Sequence, residues 1–107
     1  MQISILGTEY TLKESDKVND QTLENCDGYC DETTKTCVID VMNCDDVMAK
    51  KNMSEYKKKV IRHELVHAFL FESGLSSESW ARNEEIVDWI ANQFPKMMKA
   101  FNEAKAL

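Results

Sequence analysis

The chain reads as an α+β protein: an N-terminal antiparallel sheet of two β-hairpins, packed on a buried helix and a second, C-terminal helix. Three observations carry this. The front of the chain holds short alternating apolar and polar runs broken by turn residues, the middle holds one long helical run, and the back repeats apolar residues at helical spacing. At 107 residues, 43% of them hydrophobic, the chain has material for one core and is read as a single domain over 1–107.

Gln2 to Leu6 and Glu9 to Lys13 alternate apolar and polar residues around Gly7-Thr8, the pattern of a hairpin. Glu14 to Asn25 is polar and reads as a loop. Gly28–Asp31 and Thr36–Val41 form the second hairpin, and the β-branched content of the latter makes it the stronger strand. Ser54 is the expected N-cap of a helix running to Ser73, with Gly74 ending it. From Val60 onward apolar side chains surround that helix, which predicts burial on all sides. A second helix runs from Ser79 to Phe94, and Pro95 either kinks it or opens a third through Phe101 to Lys105.

A formal net charge of −6 argues against a nucleic-acid backbone or an anionic membrane as partner. Lys57-Lys58-Lys59 reads as the solvated start of a helix. No apolar run is long enough to span a bilayer, and Met1–Gly7 lacks the basic and apolar regions of a signal peptide, so a cytoplasmic protein is expected. There the four cysteines, Cys26, Cys30, Cys37 and Cys44, are expected as free thiols. Cys26-x-x-x-Cys30 also falls within the looser spacing of a second, structural zinc site, and four cysteines allow three disulfide pairings among which the sequence does not choose.

The most informative segment is His63-Glu64-Leu65-Val66-His67, inside the long helical run. Residues four apart stack on one helix face, so both imidazoles can address a single ion, while Glu64 lies about 100° further round, beside them. Zinc hydrolases need this arrangement: two neutral nitrogen ligands, a bound water, and a carboxylate to take that water's proton.

A catalytic zinc expects a third protein ligand. The chain has only two histidines, which excludes a three-histidine site and leaves Glu72, Glu78, Glu84, Glu85, Asp88 and Glu103 downstream. On a helix Glu84 and Asp88 share a face flanked by Ile86, Val87, Ile90, Ala91 and Phe94, whereas Glu85 falls with Trp89 and Asn92 toward the polar surface. Glu84 is therefore the preferred ligand and Glu85 the alternative. Asp88 is placed to accept the free ring N–H of a ligating histidine, which fixes the tautomer and raises its basicity.

Val60 to Ala91, read through these two motifs, resembles the gluzincin metallopeptidases, whose thermolysin branch carries a segment similar to Asn83-Glu84-Glu85-Ile86-Val87-Asp88. The small size and the ending Asp88-Trp89-Ile90-Ala91 look closer to the compact ImmA/IrrE-type metallopeptidases of phages and bacteria. The resemblance implies a minimal zincin-like domain, one zinc held by His63, His67 and Glu84, and Glu64 as general base. It also implies a protein or peptide substrate pairing with a sheet edge strand, a role that falls here to Thr36–Val41, and a phage or mobile-element origin. The chain departs from the pattern in having no further histidine, and no tyrosine after the first helix, to stabilise an oxyanion. Tyr10, Tyr29, Tyr56 and Arg82 remain for that role. Val87 stands where the phage-type pattern has alanine.

The expected function is a zinc-dependent endopeptidase. A different class of protein would keep the same scaffold: a non-catalytic regulatory module that acts by edge-strand contact with a partner. A purely structural zinc domain, unfolding on chelation, is a third expectation.

Overall fold

The computed structural model of the chain describes residues 1–42, 52–75 and 79–107, so Cys44 and Glu78 lie outside the described residues. Strands β1 (Gln2–Ile5), β2 (Thr8–Ser15), β3 (Gly28–Asp31) and β4 (Thr36–Asp40) precede helix α1 (Met53–Glu72) and helix α2 (Glu84–Glu103), with short 3-10 turns at Gln21–Glu24 and Trp80–Arg82. The α+β class holds. Both hairpins form, but the first turns at Leu6-Gly7 and not Gly7-Thr8, with φ of 49° and 89°, the left-handed pair that a two-residue hairpin turn requires. β2 runs on through Glu14 and Ser15, which the polar composition reads as loop.

The sheet is mixed, not antiparallel: its order is β1-β2-β4-β3, and β2 pairs with β4 in parallel, Thr11 against Thr36 through Ser15 against Asp40. Parallel pairing needs a crossover of a dozen or more residues, and the polar segment after β2, together with β3, supplies it. β4 takes an interior position because it is the most apolar strand; Cys37, Val38, Ile39 and Asp40 are all buried. Thr36–Val41 is thus not the edge strand. Paired on both sides, it has no free backbone to offer, and β3 forms the edge beside the helices.

α1 lies across the sheet, and the core fills the space between them in two clusters. Ile5, Tyr10, Cys37 and Ala68 form one, and Ile39, Met42 and Val60 the other. Gly28 allows the close approach: a Cβ there would stand 3.0 Å from Val60 Cγ1 and 3.1 Å from the Val38 carbonyl oxygen. Asn52, not Ser54, caps α1 by accepting from the Glu55 N–H. Gly74, at φ 87°, ends it as expected, with Leu75 N donating to Leu70 O and Gly74 N to Phe71 O in the Schellman pattern. The helix is buried along one stripe only, Val60, Glu64, His67 and Ala68, while Phe69 is 43% exposed. Apolar residues on its other faces are covered only in part, by α2, among the described residues.

α2 begins at Asn83, which caps it by accepting from Ile86 N–H; Ser79 caps the preceding 3-10 turn instead. The helix continues through Pro95 to Glu103 without a break. A proline has no N–H to give the carbonyl four residues back, and that carbonyl belongs to Ala91. Arg62 of α1 supplies the missing donor, its Nε lying 2.7 Å from Ala91 O. One long-range hydrogen bond therefore relieves the proline's defect and docks α2 on α1.

Candidate metal centre

α1 and α2 bring His63, His67 and Glu84 together. Glu84 Oε2 lies 2.8 Å from His63 Nε2, and Glu84 Oε1 lies 2.9 Å from His67 Nε2. One ligand atom from each lies within 4.8 Å of the other two. Zinc bonds of about 2.0–2.1 Å to nitrogen and oxygen place tetrahedral ligand atoms roughly 3.4 Å apart. Rotation of the Glu84 side chain, 69% exposed, can close the difference. The donor set of two imidazoles and a carboxylate fits zinc, and the side chains needed to hold it are present. Glu85, the residue after Glu84, is exposed, and among the described residues the ion pairs to the two histidines come from Glu84 and Asp88, not from it.

The histidines are held from behind. His63 Nδ1 lies 3.2 Å from Asp88 Oδ1, and Lys59 Nζ sits 2.9 Å from the same oxygen. Asn92 Nδ2 donates to Asp88 Oδ2. The Lys59 ammonium, with help from His63, keeps the Asp88 carboxyl below the usual carboxylate range against the opposing effect of burial. His67 stacks on Phe71, one turn further along, with ring centroids 5.8 Å apart. Burial lowers the His67 pKa, the Glu84 carboxylate opposing, so the ring favours the neutral form that ligates metal. Among the described residues its buried Nδ1 has no hydrogen-bond partner of ordinary geometry, and the Ala81 backbone acts on it weakly.

Glu64 is 4% exposed, and no donor or cation is found bonded to its carboxylate among the described residues. Burial raises its pKa to about 7, Glu84 adding to the rise and His63 opposing it. A carboxyl poised there can take and return a proton near neutrality.

A cleft of about 860 Å³ opens onto these residues, walled on one side by β3 and its flanks and on the other by α1, Arg82 and the start of α2. Of the four candidates for oxyanion stabilisation, Tyr10 is absent from the cleft and donates to Glu72. Tyr29 and Tyr56 line it, but donate to Asp20 and Asp27. Arg82 lines it as well, with Glu32 at 4.0 Å as its ion-pair partner among the described residues. Glu72 stands at the far end of α1, engaged by Thr8, Tyr10 and Lys35. Among the described residues, His63, His67 and Glu84 are the group that could hold a metal ion, and no cysteine joins such a group.

Two contributors escaped sequence reasoning. Lys59 reads as one of three solvated lysines, yet it lies one helical turn before His63 and completes the pair with Asp88. Arg62 carries no motif, and its signal was Pro95, whose presence leaves the Ala91 carbonyl in need of a donor. Compared with protein-family models, curated proteins and solved structures, the chain finds no match. Among the described residues no helix is long and apolar enough to cross a membrane.

Proposed function

We propose that the chain is a zinc-dependent metallopeptidase that hydrolyses peptide bonds in a protein or peptide substrate. The observation that carries this reading is the convergence of His63, His67 and Glu84 beside the buried Glu64 carboxyl, to which no donor is bonded among the described residues. Zinc bound there would supply Lewis acidity and lower the pKa of a coordinated water toward neutrality.

The chain's own residues do the rest. Asp88 accepts from His63 Nδ1 and so turns Nε2 toward Glu84. Phe71 fixes the His67 ring. Glu64 takes a proton from the attacking water and returns it to the leaving amine, a transfer worth about 10²–10⁴-fold in rate. Arg82 is the cationic donor available to a carbonyl oxygen that gains charge. β3, not Thr36–Val41, is the strand beside which an extended peptide would lie.

The test is turnover of unfolded protein substrates by zinc-loaded wild type beside Glu64→Gln. Cleavage by wild type that falls at least 10²-fold in the variant, with zinc content equal, supports the reading. Equal cleavage by both would assign it to a contaminant. Full zinc occupancy without turnover on any substrate would leave the non-catalytic binding module, acting through the β3 edge.

A further inference from the structure

Cys30 and Cys37 stand directly opposite each other on β3 and β4. The hydrogen bond from Asp40 N to Asp27 O sets the phase of that ladder. Tyr29 and Val38 form the hydrogen-bonded pair, so Cys30 and Cys37 occupy a non-hydrogen-bonded position, where Cα atoms come to about 4.5 Å and side chains lean together. A disulfide spans Cα separations of about 4.4–6.8 Å. Both side chains face α1: Cys37 is fully buried with Ile5, Tyr10 and Ala68, and Cys30 packs against that cluster. Cys30 also lines the cleft. The Cys37 Sγ lies 3.7 Å from the Glu64 carbonyl oxygen, to which its S–H donates. Cys26 is engaged elsewhere, donating to the Thr22 carbonyl at 3.3 Å.

We propose that Cys30 and Cys37 are a redox modification site that closes into a cross-strand disulfide beneath the turn of α1 carrying Glu64. The oxidant is a low-molecular-weight disulfide, admitted through the cleft. Cys30, having given its proton to solvent, attacks one sulfur of that disulfide. The small S–S bond breaks and one thiolate leaves. Cys37, likewise deprotonated, attacks the Cys30 sulfur and expels the second thiolate. The protein gives up two electrons and two protons, and the small disulfide becomes two thiols. The Cys37 thiol and burial hold the Cys30 proton well above the usual thiol range, so closure is slow at neutral pH and quickens as the pH rises. The bridge cross-links the strand that walls the cleft and removes the S–H donor from Glu64 O. Its formation does not depend on the peptidase reading.

The experiment treats the full chain with glutathione disulfide at mildly alkaline pH, alkylates the remaining thiols, and maps the product by mass spectrometry. Cleavage after Lys35 separates Cys26 and Cys30 from Cys37 and Cys44, so a bridge between the strands joins two peptides, and fragmentation within each peptide shows which cysteine carries it. The expected result is two fewer alkylated thiols, Cys30 joined to Cys37, and a melting temperature higher by on the order of 10 °C. In Cys37→Ser the expected product is one glutathione retained on Cys30, with no such rise. Full alkylation of both thiols in wild type overturns the proposal, as does a bridge to Cys26 or Cys44. A persistent glutathione adduct on Cys30 of wild type overturns it too. If Cys37→Ser does not fold, the wild-type map decides alone. The same result in Glu64→Gln separates this outcome from any failure of the peptidase reading.

Discussion

Two glutamates on α1, eight residues apart, are treated in opposite ways. Glu72 ends the helix with donors from Thr8, Tyr10 and Lys35 on its carboxylate, which ties α1 to both hairpin turns. The Lys35 ammonium and the Tyr10 hydroxyl hold its pKa below the ordinary value. Glu64 lies deeper, faces the cleft, and is raised to about 7 by burial. A carboxylate that fastens a fold is satisfied. One left buried without a donor costs stability, and such a cost persists where a proton must move.

The largest effect that tests this contrast is on Glu64. Its folded pKa, about 7, exceeds the ordinary 4.5, so the folded state keeps the proton after the unfolded chain has released it. Stability from this group is intact below about pH 4.5 and is lost as pH rises toward 7. In metal-free protein, Glu64→Gln should raise stability at pH 8 by about 2 kcal/mol, with the gap closing by about pH 4. Denaturant unfolding at both pH values measures it; a constant gap would break the comparison.

Next is the surface on which α1 rests. Gly28→Ala should cost about 1–3 kcal/mol, because the added methyl meets the Val38 carbonyl and Val60. It should also weaken zinc retention by lifting the turn that carries His63. Unchanged stability would mean that the helix is not seated as described.

Arg62→Ala should cost about 1–2 kcal/mol by leaving the Ala91 carbonyl without its donor. In a Pro95→Ala background the restored N–H can bond Ala91 O, and the cost of Arg62→Ala should shrink by about 1 kcal/mol. Additive losses in the double-mutant cycle would sever Arg62 from the proline.

The smallest effect belongs to Glu72. Its depressed pKa stabilises the fold above the ordinary value of 4.5, and that stabilisation is lost as pH falls through and below it. Thermal melting of Glu72→Gln between about pH 3 and pH 7 should show a lower midpoint near neutrality and a shallower acid decline than wild type. Parallel curves would show that the carboxylate fastens nothing.

Much of this was legible in local pattern. The hairpin alternation, Gly74 as helix stop, and the four-residue step from His63 to His67 depend on neighbours in the chain. The same periodicity separated Glu84 from Glu85, because a helix sends them to different sides. What escaped depends on distant partners. The parallel β2–β4 register arises when β4 is inserted between β2 and β3, and no local pattern marks that insertion. α1 is buried on one stripe although its composition suggested burial all round, since composition does not count the layers available to cover it. The Cys30–Cys37 pairing needs the hairpin's phase, which spacing alone does not give.

Metal content tests the central claim most directly. Wild type, Glu84→Ala and Glu85→Ala, purified side by side and measured by plasma mass spectrometry, should carry about one zinc per chain in wild type and Glu85→Ala and almost none in Glu84→Ala. No zinc in wild type after the metal is added back, or retention unchanged in Glu84→Ala, would contradict it.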